Sequence, residues 1–239
     1  MLFRSTPPRL SDLGEALARV EASGIYSNHG PEARAFEREA TERLFAGRGA
    51  SLTVANATLG LTLALADAVG PAGRGRMAMV PAFTFAATAQ AAWWSGMTPL
   101  LADVDPATWA MCPAAEERLL QRHGDHIAAI VPYAAFGYPI DLDRYRWLAE
   151  RHGVAIVVDA AASIGTLNAE DVNFGAGAPF PIVFSMHATK PFATAEGGLI
   201  HCGDAATIER LRAMTSFGFE RPRTASLPGL NAKLPEIVA

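Results

Sequence analysis

Residues 154–159 read VAIVVD, and the fold turns on how this run is covered. A strand with one wet face alternates apolar and polar residues, whereas this run is apolar throughout until Asp159, so both of its faces must be covered. The run IAAIVP at 127–132 has the same character. Working outward, shorter apolar runs stand at 51–55 (SLTVA), 77–80 (MAMV), 98–104 (TPLLADV), 181–185 (PIVFS) and 198–202 (GLIHC). Segments of helical period at 58–69, 83–94, 114–122, 142–152 and 205–215 separate most of them. Strand and helix in alternation predict a three-layer α/β/α domain around a mainly parallel central sheet. The runs at 181–185 and 198–202 are joined by a polar loop without a helix, so a hairpin with one antiparallel strand is expected there. Two amphipathic stretches, 10–20 and 31–45, precede the first strand.

The chain has 239 residues, half of them apolar and 18% charged, which is enough for a sizeable core. A net charge of −4 without any Lys/Arg block argues against a general nucleic-acid or anionic-membrane binder. Cys112 and Cys202 are too few and too far apart for a disulfide framework or a CxxC site, and both are expected to be reduced packing residues. Residues 77–102 carry no charge and are long enough to cross a bilayer, but Pro81, Pro99 and the Ser95, Gly96 turn cut the run into strand, helix and strand. The start, MLFRSTPPRLSDLGE, lacks the apolar segment of a secretory signal, so a cytoplasmic protein is expected.

Ligands of open α/β sheets bind beyond the carboxyl ends of the strands, so the residues that follow each run are the candidate site. NATLGL at 56–61 opens a helix near Thr58, which suits a phosphate or is a plain Asn/Thr cap. GPAGRGRM at 70–77 closes a helix and precedes a strand, so it is a connector and not a dinucleotide loop. There is no P-loop, GxSxG or HExxH, and the histidines lack metal-ligand spacing; His123 and His126 are expected to be solvated. Asp159 ends its apolar run with no basic residue nearby in sequence. It either caps a following helix or faces a bound cation, a metal or a protonated heterocycle. In FSMHATKPFATAEGGLI at 184–200, Lys190 lies between Ser185 and the pair Gly197, Gly198, read as a tight turn back into the sheet.

One cofactor uses a helix-start anion site, an aromatic ring at Phe83 or Phe85, an acid at Asp159 and a lysine at Lys190. Pyridoxal 5′-phosphate (PLP) needs a phosphate cradle, a ring to stack on, a carboxylate that keeps its pyridine nitrogen protonated, and a lysine to form the Schiff base. The protonated ring is an electron sink, and a dry, cationic site frees the lysine from its proton.

With these residues in this order, the chain resembles the DegT/DnrJ/EryC1/StrS group of aminotransferases, of the aspartate-aminotransferase fold type, which mostly act on nucleotide-linked keto sugars. The likeness runs through SNHGPEARAFE (27–37), NATLGLTLAL (56–65), VPAFTFAATAQAAWWSGMTPLLADVDPATW (80–109), VVDAAASIG (157–165), FSMHATKPFATAEGG (184–198) and GLNAKLPEIVA (229–239). It implies that Lys190 is the Schiff-base lysine and proton shuttle. It further implies that Ser185 and the Ala57, Thr58 turn hold the phosphate, that Phe85 stacks on the ring and that Asp159 pairs with its nitrogen. Asn231 is implied to reach the phosphate of a neighbouring subunit, hence a homodimer, with glutamate as the amino donor to a nucleotide-linked sugar.

The chain departs from the resemblance at Ala57, where glycine is usual; at Ala162, where Gln or His bonds the cofactor's phenolic oxygen; and at Lys233, where arginine is usual. Ala57 fits only where φ is negative. The resemblance divides the chain into an N-terminal arm and helix (1–30), a PLP-binding large domain (31–221) and the start of a connection (222–239) to a small C-terminal domain absent from this chain. Two further functions fit the residues: a truncated homologue kept for binding or dimerisation, and a relative that removes a hydroxyl from the sugar. The second replaces the lysine with histidine, and Lys190 stands against it.

Overall fold

A computed structural model describes residues 7–220 and 224–239. The strands of the central sheet are β1 (Ala50–Val54), β2 (Met77–Pro81), β3 (Thr98–Ala102), β4 (Ile127–Ile130), β5 (Ala155–Ile156), β6 (Val158–Asp159), β7 (Ile182–Ser185) and β8 (Gly198–Cys202), and Phe219–Glu220 and Thr224–Ala225 form a separate antiparallel pair. The helices are α1 (Gly14–Ser23), α2 (Pro31–Arg43), α3 (Ala57–Val69), α4 (Ala86–Trp94), α5 (Pro113–His123), α6 (Leu142–His152) and α7 (Ala205–Thr215).

The VAIVVD run lies in the middle of the sheet, as β5 and β6. Its successive amides donate to opposite sides: Val157 to the Ile130 carbonyl at 3.3 Å, Val158 to Pro181 at 2.9 Å, Asp159 to Pro132 at 2.9 Å and Ala160 to Val183 at 2.8 Å. β5 pairs in parallel with β4, and β6 in parallel with β7. This strand therefore joins β3-β2-β4-β5 to β6-β7-β8-β1 in one sheet. All pairs in it are parallel except the two made by β8, which runs against β7 and β1, so the expected hairpin and single antiparallel strand are present.

Both faces are buried, as the sequence requires. Along β7, Ile182 and Phe184 enter one core and Val183 the other; along β2, Met79 enters the first, Ala78 and Val80 the second. Leu120 of α5 and Tyr145 and Leu148 of α6 cover the first face. Leu61 and Ala64 of α3, Ala91 and Ala92 of α4, and Ile208 and Leu211 of α7 cover the second. The charge-free stretch 77–102 is β2, α4 and β3, and no helix among the described residues is long and apolar enough to cross a membrane. Cys202 is buried and Cys112 half-buried, both free thiols.

Some boundaries differ from expectation. α4 starts at Ala86 instead of residue 83, because Phe85 is its extended N-cap and supplies no capping side chain. β3 ends at Ala102, beyond which the Asp105 carboxylate accepts the Ala107 amide at 2.7 Å and turns the chain. The boundary expected at 221/222 and the first six residues of the arm fall outside the described residues. The tail from Thr224 folds back on the domain: Asn231 bridges Ser216, the Ala232 carbonyl accepts the Ala55 amide at 2.8 Å, and the buried Glu236 carboxylate accepts the amides of Gly30 at 2.9 Å and Glu32 at 2.8 Å. Glu236 thus caps α2 from the far end of the sequence.

Candidate active site

Because β1, β2, β4, β6 and β7 share one direction, the residues that follow them gather at one edge. β8 runs the other way and starts at that edge. The pairing Val54↔Gly198↔Ser185 sets Ser185 one strand away from the end of β1 and the start of α3.

α3 begins at Ala57, one residue before the expected position. Its N-cap is Asn56, whose side chain accepts the Leu59 amide at 2.9 Å. The amides of Ala57 and Thr58 precede the first intrahelical bond and have no acceptor within the helix. Ala57 is not among the positive-φ residues, so the alanine fits without strain. Gly198 keeps the space before these amides open: a Cβ there would stand 2.9 Å from the Ala57 nitrogen. Neither Gly197 nor Gly198 adopts positive φ, so the pair serves close approach instead of a left-handed turn; a Cβ on Gly197 would meet Met186 at 2.6 Å. The Ser185 hydroxyl accepts the His187 amide at 3.2 Å, which leaves its own proton for an anion.

Asp159 is 2% exposed. No helix follows it, and its capping role shrinks to one bond from the Ala161 amide to Oδ1 at 3.1 Å. Oδ2 accepts the Thr88 hydroxyl at 2.6 Å, and Thr88 in turn lies 2.6 Å from the Thr84 hydroxyl. Burial raises the pKa of Asp159; the Thr88 hydroxyl, the Ala161 amide and the positive charge of Lys190 oppose it without cancelling it. Lys190, 31 residues farther along the chain in a different loop, is therefore brought within electrostatic reach of this carboxylate.

The Lys190 turn is held by His187. Its carbonyl accepts the Lys190 amide at 2.8 Å and its ring Nδ1 accepts the Thr189 amide at 3.2 Å, so this histidine shapes the loop. Phe83 is engaged with Trp109 and Phe136, at ring separations of 6.2 and 6.1 Å, while Phe85 stands 69% exposed. Asn231 is exposed and accepts the Lys233 ammonium at 2.6 Å; among the described residues it bonds none of the others. Lys233 lies over the Phe217 ring at 5.3 Å.

The structure adds Thr88 and Tyr133 to the residues read from sequence. Tyr133 follows β4 and bridges Asp159 in parallel. The Thr84, Thr88 spacing of one helical turn was the available signal for the first, and the end of the IAAIVP run for the second. No group of His, Cys, Asp and Glu among the described residues could hold a metal ion. Of the cations left open for Asp159, the protonated heterocycle is the one this donor set fits: an anion cradle, a buried acid whose neighbours leave its pKa raised, and a lysine within electrostatic reach of it.

A solved structure from Bacillus cereus ATCC 10987 superposes with a TM-score of 0.93 at 36% identity, over 99% of this chain and 63% of that one. DesI, solved with its TDP-sugar product, gives 0.83 at 34% identity, over 100% of this chain and 58% of that one. The UDP-N-acetyl-3-dehydro-alpha-D-glucosamine 3-aminotransferase of Acidithiobacillus ferrooxidans is 32% identical over 96% of this chain and 59% of its own length. This chain spans 57% of the length of the first curated relatives it matches. The sequence pattern of the DegT/DnrJ/EryC1/StrS aminotransferase family matches residues 11–239, and the chain belongs to that family.

Proposed function

We propose that the chain carries the cofactor-holding part of a PLP-dependent aminotransferase that moves an amino group, with glutamate as donor, onto the keto carbon of a nucleotide-linked sugar. The observation that supports this most is the buried Asp159 carboxylate, raised in pKa by burial and lying within reach of the Lys190 charge. Members of the family are PLP-dependent, and two relatives named above handle TDP- and UDP-linked sugars.

When bound, PLP supplies an aldehyde for amine exchange and a protonated ring that accepts electrons from the substrate carbon. In this reading Asp159 keeps the ring nitrogen protonated, and the Thr84, Thr88 pair keeps Asp159 aimed and ionised. Ser185 and the Ala57 and Thr58 amides take the phosphate. Phe85 offers its exposed face for stacking, and Lys190 binds the aldehyde and afterwards carries the proton to and from the substrate carbon. Asn231, turned outward with Lys233, is available to a neighbouring copy, and the reading includes a cytoplasmic homodimer.

Adding PLP to the purified protein should produce a visible absorption band that Lys190→Ala abolishes, and glutamate should convert that band to the amine form. A chain that shows no Lys190-dependent band sinks the reading and favours a role in binding or dimerisation. A band without transfer to any nucleotide-linked keto sugar sinks the substrate class alone.

A further inference from the structure

The turn after Asp159 packs on the turn after β4. A Cβ on Gly137 would stand 3.0 Å from the Ala162 carbonyl, and the Thr166 hydroxyl donates to the Gly137 carbonyl at 2.7 Å. At this junction the Ala162 side chain contributes a methyl group and no donor. PLP carries a phenolic oxygen on the ring carbon next but one to its nitrogen, and that oxygen is ionised in the bound cofactor. An ionised oxygen taken from water without a donor is costly.

Tyr133 brings a hydroxyl to the same junction. Its parallel bridge to Asp159 sets the two side chains next to each other on one face of the sheet, at the carboxyl edge where the site lies, and the residue is 8% exposed. We propose that Tyr133 is a cofactor-contacting residue whose hydroxyl donates to the phenolic oxygen of PLP, at the place Ala162 leaves without a donor. The inference rests on the reading of the site given under the proposed function. The hydroxyl is prepared to donate: burial and the Asp159 carboxylate raise its pKa, so it keeps its proton, and the Phe136 amide faces its oxygen and only partly opposes them.

A donor to the phenolic oxygen stabilises its anion and lowers the pH at which the neighbouring nitrogen of the bound cofactor loses its proton. That pH is the midpoint of the change in the visible band. Asp159 and Lys190 are the charged groups around the ring, and neither is altered by Tyr133→Phe. This variant should keep the Lys190-dependent band and move its midpoint upward by about one to two pH units, the worth of one charge-assisted hydrogen bond. Its affinity for PLP, measured by equilibrium dialysis, should fall roughly ten-fold on the same ground. The amino acid 3-fluorotyrosine placed at position 133, a stronger donor of nearly the same shape, should move the midpoint downward. An unmoved midpoint in Tyr133→Phe overturns the assignment and leaves the cofactor site standing. Should that variant not fold, an unmoved midpoint in the fluorotyrosine protein overturns it equally. Absence of any Lys190-dependent band in the unmodified protein overturns the reading of the site, and this inference with it.

Discussion

Thr84, Thr88 and Asp159 form a short relay in which each hydroxyl has one acceptor and the carboxylate has two donors. Thr88→Val leaves Oδ2 buried without a donor, and the expected cost is about 1–3 kcal/mol of stability, read from denaturant unfolding, together with weaker PLP binding. Asp159→Asn separates the two effects. A carboxyl whose folded pKa is raised takes up protons on folding, so the cofactor-free protein loses stability as pH rises from the ordinary carboxylate pKa through the raised one. The amide removes that loss: at pH 8 the cofactor-free variant should melt no lower than the parent, yet bind PLP far more weakly. Asp159 and Lys190 were legible in the sequence because a lone charge at the end of an apolar run, or after one, calls for a reason. Tyr133 and Thr88 were not read from it, because a strand-end tyrosine and a four-residue threonine spacing are weak signals until strand register and the lie of α4 on the sheet give them a partner.

Among the elements, α3 illustrates how a boundary is decided. The sequence puts the helix start near Thr58, and the Asn56 cap puts it at Ala57, whose amide nitrogen lies against the space that Gly198 leaves free. Gly198→Ala should therefore lower PLP affinity while the β7–β8 hairpin persists, a result to be checked by titration and circular dichroism side by side. Helix α2 has no capping side chain at its own N-terminus and borrows Glu236. Glu236→Ala should cost roughly 1–2 kcal/mol, seen as a lower denaturant midpoint. The strands and helices were legible to within a few residues because burial on two faces leaves a run with no polar interruptions. The borrowed cap was not, since nothing local in PEIV links it to residues 30–33.

For the molecule as a whole, acid should be the weak point, and two buried histidines say why. Burial and the charges of Arg212 and Arg34 hold His29 down to about 3, and burial holds His201 down to about 4. The Thr215 hydroxyl donates to the Arg212 carbonyl at 2.7 Å, so His29 Nε2 must carry the proton it shares with Thr215, and Nδ1 stays buried without a partner. The His201 ring stacks on Phe45 at 3.7 Å and meets the Ser51 hydroxyl at 3.1 Å. The unfolded chain binds protons on both rings below its ordinary histidine pKa while the folded one does not, so stability is complete above that value and falls as pH drops toward 4. The loss at pH 5 should be roughly 2 kcal/mol for each ring, and His201→Gln should flatten the slope of melting temperature against pH. The central strand has a different consequence. Its amides at 157–160 are held alternately by the β4 and the β7 side, so the whole set exchanges with solvent deuterium only when the sheet opens on both sides, whereas the loop that carries Lys190 is closed by bonds within itself, such as Lys190 to the His187 carbonyl and Ala188 to the Ala195 carbonyl. Asp159 is thereby tied to the opening of the central sheet and Lys190 to the opening of a single loop, and labelling in deuterium oxide should show slower exchange at 157–160 than at 188–190.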